Sequence, residues 1–328
     1  MSVSTEFLTI QEEICKLLCV KSFRKSKLFD GLKLAKGFTS QSWVQFYHDF
    51  LYIIGQGIRS SLLIDYPVPE WEDLINFIEI LKKSTILNNN NNAEKFKFEI
   101  ISIHLDDFLY FLSNKTVLLE RIQIDLSNNF ENYLFIDVSQ KLNQPKYCET
   151  QDYHKNQLKL ILEYLAEKLK SGSKEILLDK DLEVILKGNR IYLPILSGWF
   201  CEYPIIYCNS SRYTQCSQCP SGDNCNDLDT DWNENSLSSI ELQRYSVRQC
   251  NISTPYQSLQ LPKLLLSFTY PVFLETSHKD ILDSILNKFQ KSLLNRFNQC
   301  SNESQFKLTN QLEFNIEKLS NDISNIRL

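Results

Sequence analysis

Thiols and carboxylates are the groups in this chain that stand where they could do chemistry. Cys208, Cys216, Cys219 and Cys225 run as C-x7-C-x2-C-x5-C, with Cys201 just upstream. A C-x2-C step suits two thiolates on one tetrahedral zinc, and Pro220 with Gly222 could supply a tight turn, so Cys216, Cys219 and Cys225 are the candidate zinc ligands. The missing second C-x2-C pair and the polar surroundings, SGDNCNDLDTDWNENS, weigh against that site. A C-x2-C redox pair is weaker still, because no strand-to-helix junction carries it. Among the acids, Asp65 closes RSSLLIDY and Asp137 closes YLFIDV, each near the end of an apolar run. Carboxylates at strand ends could hold Mg²⁺ or act as acid and base. The competing reading is that each accepts backbone hydrogen bonds in the next turn. Glu202, between Cys201 and Tyr203, is the third candidate acid. If it faces inward it must be paired or protonated; if outward, it is an ordinary solvated residue, the commoner fate of Glu. The four histidines His48, His104, His154 and His278 form no HxH or HExxH pattern, and spacing alone brings none of them to Cys201. No GxGxxG, Walker A or GxSxG motif is present.

The elements that must position these groups follow from periodicity. Ile191–Cys208, IYLPILSGWFCEYPIIYC, is apolar almost throughout, and the remaining elements read as arranged around it. Its aromatic and β-branched content predicts one strand, or two short ones bent at Ser197-Gly198, with Pro204 at an edge. Helices are predicted over Phe7–Val20, Ser40–Ile54, Glu70–Lys83, Asp106–Leu112 and Tyr153–Lys170. Strands are predicted at Arg59–Tyr66, Phe96–His104, Tyr133–Val138, Glu175–Leu178, Leu182–Leu186, Ile240–Val247 and Leu264–Leu274. Two helices, Ser277–Phe297 and Leu308–Ile326, are expected to end the chain. In the second, Leu312, Ile316, Leu319, Ile323 and Ile326 form an a/d seam of two heptads, too short for a lone coiled coil but a possible protein-partner surface.

The predicted fold class is therefore α/β (mixed α+β): a single mixed sheet covered by helices, with N-terminal helices and a helical C-terminal tail over residues 277–328. One globular domain over residues 1–328 is expected. Residues 86–95, with their asparagine run, and residues 209–236 read as disordered insertions. With 20 Phe, 15 Tyr, 4 Trp and only 8 Gly, the supply of core side chains is ample. A net charge of −5 argues against a general nucleic-acid surface, which needs clustered Lys and Arg. The first residues lack the basic start of a secretory signal, and no window approaches the roughly twenty apolar residues that cross a bilayer. The ten cysteines are then expected to be reduced thiols of a cytoplasmic or nuclear protein.

Two stretches carry a family likeness. SSLLIDYPVP followed by an amphipathic helix, and LSGWFCEYPIIYC followed much later by YSV and LLLSFTYPVFLE, resemble an uncharacterised eukaryotic family whose animal members are known as a "chromosome 1 open reading frame" product. The resemblance spans Leu28 to Leu274, with the asparagine run and the Cys-rich insertion as departures. It implies no activity. It draws attention to Asp65, Trp199, Glu202 and Tyr203 and away from the C-x2-C, which falls in an insertion. The function read from the residues is that of a non-catalytic binding or interaction protein. The competing reading is a metal-dependent or acid/base enzyme for a small polar or phosphorylated ligand, with Asp65, Asp137 and Glu202 as its acids.

Overall fold

A computed structural model describes residues 54, 57–64, 99–105, 109–139, 142–148, 150–187, 191–210, 236–237, 240–249, 264–303 and 312–319. The fold is mixed α/β, and among the described residues the strands form three small sheets rather than one.

The first sheet has the order β1 (Ser61–Leu63), β3 (Tyr110–Asn114), β2 (Ile100–His104), β6 (Glu175–Leu177). β2 and β3 are antiparallel, and Leu105 N–H donates to the Leu109 carbonyl at 2.9 Å where the chain turns between them. The predicted helix over Asp106–Leu112 is thus replaced from Tyr110 onward by a strand. Its short aromatic run YFLSN buries Phe111 and Leu112 across from β1 and β2, and that pairing overrides weak helical spacing. Asn114 then caps α1 (Lys115–Ser127), its side chain accepting from Val117 N–H at 3.3 Å. Leu118, Ile122 and Asp125, three to four residues apart, are the buried face of that helix.

The second sheet is β5 (Lys146–Tyr147), β4 (Leu134–Asp137), β7 (Ile205–Cys208), with β4 and β7 parallel and paired from Leu134↔Ile205 to Asp137↔Cys208. Between them run α2 (Gln151–Lys170), β6, α3 (Leu178–Ile185) and α4 (Leu193–Phe200). α2 matches its expected span, and Gly172 at φ 88° stops it in the left-handed region glycine favours. Its buried stripe includes Leu158, Ile161, Leu162, Leu165 and Leu169, while Leu160 is 46% exposed.

Two expected strands are helices. Leu182–Leu186 belongs mostly to α3, whose first turn carries Asp179 and Asp181 against the helix dipole and whose Val184 is 79% exposed, an arrangement a buried strand would not leave. The first half of the hub segment, Leu193–Phe200, is α4: Pro194 stands in the first turn, where a fixed φ and a missing N–H cost nothing. Its second half is the expected strand, β7, on the edge of its sheet among the described residues.

The third sheet, β10 (Leu312–Lys318), β8 (Leu242–Gln249), β9 (Leu264–Pro271), is antiparallel with β8 at its centre. The helical tail predicted over residues 277–328 therefore needs correction. α5 (Phe273–Ser277) and α6 (Lys279–Glu303) are helical, but Leu312–Lys318 is a strand paired along its whole length with β8. LEFNIEK alternates Leu312, Phe314 and Ile316 with polar residues, and this period of two prevails over the 4-3 spacing of Leu312, Ile316 and Leu319. A coiled-coil seam for a protein partner cannot run through it.

Aromatic contacts tie the layers together. Phe111 of β3 stacks on Phe200 of α4 at 4.8 Å, and Phe289 of α6 meets both Tyr245 and Phe268 of the third sheet edge-on. Tyr207 of β7 donates to the Thr269 carbonyl of β9 at 2.8 Å, linking the second and third sheets. The predicted elements Phe7–Val20, Glu70–Lys83 and the asparagine run lie outside the described residues, as does Ser40–Ile54 apart from Ile54.

Candidate functional site

The site grows from the C-terminal end of α4. There Glu202 N–H donates to the Trp199 carbonyl at 2.8 Å and Tyr203 N–H to the Gly198 carbonyl at 2.9 Å, the paired bonds of a Schellman cap. The cap requires a left-handed residue, usually Gly, and this chain places Glu202 there at φ 59°. For a residue with a Cβ that conformation costs roughly 1–2 kcal/mol. Its carboxylate turns inward rather than to solvent and is buried.

The carboxylate is held from several sides. Oε1 accepts from Ser60 N–H at 2.5 Å and Ser60 Oγ at 2.8 Å, while Oε2 accepts from Arg296 Nη2 of α6 at 2.5 Å. Arg121 Nη1 of α1 stands 3.9 Å from Oε1 and donates to Ser60 Oγ at 2.9 Å. Burial opposes ionisation, but Arg296, Arg121 and Arg59 more than offset it and hold the carboxyl well below the usual carboxylate range. Arg59 lies alongside, donating to the Cys201 carbonyl at 2.9 Å and the Leu265 carbonyl at 3.4 Å.

A second acid, Asp125, continues the cluster. Its Oδ2 accepts from Trp199 Nε1 at 2.8 Å and from Tyr133 Oη at 2.7 Å, with Arg121 Nε at 3.7 Å. The Arg121 guanidinium lies 4.0 Å over the Trp199 ring, and its Nη2 donates to the Trp199 carbonyl and to Tyr133 Oη. Burial pulls Arg121 down, yet Tyr133, Glu202 and Asp125 leave it above its ordinary value. Burial pushes Asp125 upward against the pull of Arg121 and its two hydrogen-bond donors.

This cluster forms one wall of a cleft between α1 and α6, about 390 Å³ in volume. Its apolar lining is Val117, Ile124, Pro204 and Phe289, of which Ile124 is 55% exposed. Arg121, Lys288, Lys291 and Arg296 set four cations around it against three acids, Glu120, Asp125 and Glu202, in a chain of net charge −5. Lys288 and Lys291 are exposed at its rim.

Asp137 and Glu202 stand at opposite ends of the β4–β7 pair, and the structure does not bring them together. Asp137 closes β4, and three residues of strand rise separate it from Leu134 beside Pro204, about 10 Å. It is buried and accepts from Ser139 N–H at 2.9 Å, Ser139 Oγ at 2.5 Å, Ser210 N–H at 3.3 Å and Ser210 Oγ. Burial raises this carboxyl, but those hydrogen bonds prevail and leave it below its ordinary value. Both oxygens are occupied in holding the turn after β4, where Ser236 N–H also reaches the Val138 carbonyl at 3.1 Å, so the Asn209–Ser236 insertion starts and ends there. Asp65, Cys216, Cys219 and Cys225 lie outside the described residues. Cys208, the first thiol of the cysteine run, is committed to β7.

Sequence reasoning missed Arg121, Asp125, Tyr133 and Arg296. The signal was Asn114 as a cap followed by Leu118, Ile122 and Asp125 at helical spacing, which would have placed Arg121 one turn before Asp125. A further group also went unread: one ligand atom each from Cys148, His154 and Cys208 lies within 4.8 Å of the others, with all three residues fully buried.

Residues 33–323 of the chain match a family model described as a domain of unknown function, DUF4504. No curated protein and no solved structure matches the chain.

Proposed function

The chain belongs to the DUF4504 family, and we propose that it is a non-catalytic binding protein whose α1–α6 cleft takes a small ligand with an anionic group and an apolar body. The observation that carries this reading is the makeup of the cleft: apolar Val117, Ile124, Pro204 and Phe289 line it together with the exposed cations Lys288 and Lys291. Such a mixture of apolar lining and a few convergent charged groups is typical of ligand sites. The same geometry speaks against the acid/base reading. A general acid or base works best with a pKa near the operating pH, whereas Glu202 is locked in its ionised form by Arg296 and Arg121. Asp137, in its own turn, is filled by serine donors. The eukaryotic open-reading-frame family that the LSGWFCEYPIIYC segment resembles fits with this membership and adds no activity to it.

The test is a thermal-shift titration of the full chain with inorganic phosphate, phenyl phosphate and benzoate. Phenyl phosphate is expected to bind more tightly than inorganic phosphate, because only it carries a ring that can lie against the apolar lining residues. At about a hundred times its dissociation constant it should stabilise the fold by about 2.7 kcal/mol. A Lys288→Glu/Lys291→Glu variant, altered only at exposed positions, should lose that response. No shift with any of the three probes, or the same shift in the double variant, would sink the reading.

A further inference from the structure

Cys148, His154 and Cys208 come from three separate elements. Cys148 follows β5, His154 sits in the first turn of α2, and Cys208 ends β7 in register with Asp137. Their ligand atoms lie within 4.8 Å of one another, close enough to collapse onto one ion with small side-chain rotations. None of the three has any exposed surface.

We propose that Cys148, His154 and Cys208 form a buried structural zinc site that fastens the β5–β4–β7 sheet to the start of α2. The donor set points to the metal. Two thiolates and one imidazole are the ligands zinc favours, at about 2.3 Å to sulfur and 2.0–2.1 Å to nitrogen. Charge selects further: two thiolates with a neutral imidazole carry −2, and a divalent ion brings the buried set to zero. A monovalent soft ion such as Cu(I) would leave a net negative charge in the core beside the Asp137 carboxylate, which is expensive without a partner. Binding releases both thiol protons, so the charge balance holds. The alternative chemistries fit less well. A nucleophilic Cys–His pair needs a route for substrate, and side chains with no exposure offer none. The two cysteines are free thiols, so they are not a structural disulfide. Thr150 Oγ1 lies 3.5 Å from Cys148 Sγ, at the edge of the site. This site lies at the opposite end of β7 from the Glu202 cluster, and its proposal is independent of the anion cleft.

The experiment is metal analysis of the full chain, expressed with zinc and dialysed into metal-free buffer, together with X-ray absorption at the zinc edge. A variant lacking the downstream thiols, Cys216→Ser/Cys219→Ser/Cys225→Ser, is measured beside the wild-type chain and Cys148→Ser. The expected result is about one zinc per chain in the wild type and in the triple variant, with a shell of two sulfurs and lighter N/O donors. Cys148→Ser should reduce bound zinc at least tenfold. If that variant fails to fold, the triple variant still decides. Loss of zinc there, a shell of three or four sulfurs, or no zinc in any zinc-reconstituted sample would overturn the proposal.

Discussion

Replacing Glu202 with Gln tests the central claim about the site, that an ionised carboxylate is what Arg121 and Arg296 are folded around. The amide keeps the shape and can still accept from Ser60 through one oxygen. Its NH2 then faces the Arg296 Nη2 that now lies 2.5 Å from Oε2, so two donors oppose each other. Arg121 and Arg296 lose their shared counter-charge in a largely buried setting. Breaking a buried pair in this way costs about 3–5 kcal/mol, and the exposed edge of Arg296 places the expected loss near the lower end, about 3 kcal/mol. Acid supplies an internal control. The native carboxyl is held below its unfolded value of about 4.3, so its contribution is complete above that pH and fades as pH falls toward the native value. At about pH 3.3, one unit below the unfolded value, the gap between wild type and Gln should have narrowed by about 1.4 kcal/mol. Urea unfolding followed by circular dichroism at both pH values reads this directly. A companion variant, Glu202→Gly, removes the left-handed strain of roughly 1–2 kcal/mol but leaves both arginines without their acid. If the residue served only to end α4, Gly would equal or exceed the wild type. A Gln gap under 1 kcal/mol at neutral pH, a gap that does not shrink in acid, or a Gly variant more stable than wild type would each refute the reasoning.

Other substitutions probe neighbouring parts of the same construction. Trp199→Phe deletes the 2.8 Å bond to Asp125 and narrows the aromatic face on which Arg121 lies, and should cost about 2 kcal/mol by chemical denaturation, within the range for leaving a buried polar group short of a partner. Gly198→Ala should instead stabilise by about 0.5–1 kcal/mol, since the position is helical and a Cβ there would meet only Ile206 at 3.8 Å. Gly57→Ala should destabilise, measured the same way, because φ is 75° and the new Cβ would lie 3.0 Å from Val117. Removing the chain from Leu312 onward strips β8 of an antiparallel partner along its length, so size-exclusion chromatography with light scattering should show association rather than a clean monomer-like peak.

The parts of the fold legible in the sequence are those with one unambiguous period. α2, β4, β7 and the β8–β9 strands were readable because their apolar stripes are long or their runs strongly β-branched. Errors fell where two periods coincide on few residues. LEFNIEK satisfies a 4-3 seam and a strict alternation together, and only the open edge of β8 decides between them. LPILSGWF is apolar on every side, so periodicity could not separate a buried helix from a buried strand, although Pro194 near its start was a legible helix signal. The site was harder to read for a different reason. Glu202 was visible as an anomaly, but its partners Ser60, Arg121 and Arg296 are 142, 81 and 94 residues away in the chain, and only packing brings them together. Cys148 and His154 are separated by five residues, a spacing that carries no signal until β7 delivers Cys208 beside them.

The hub segment Ile191–Cys208 does organise the molecule, but through a helix, a strained cap and a strand rather than through continuous sheet. α4 aims Trp199 at Asp125 and its carbonyl at Arg121; the cap turns Glu202 inward; β7 then runs parallel to β4, its one strand partner among the described residues, carrying Cys208 to the far end. One residue of left-handed backbone, Glu202, therefore turns the chain from α4 into β7. Had the cap held glycine, the helix would still end and the strand would still start, but Arg121 and Arg296 would lose the acid between them. Arg121 and Arg296 sit one on each of the helices that line the cleft, and Glu202 is the group both approach. The carboxylate thus bridges α1 and α6, an interaction glycine could not make at a position where backbone geometry alone would favour it.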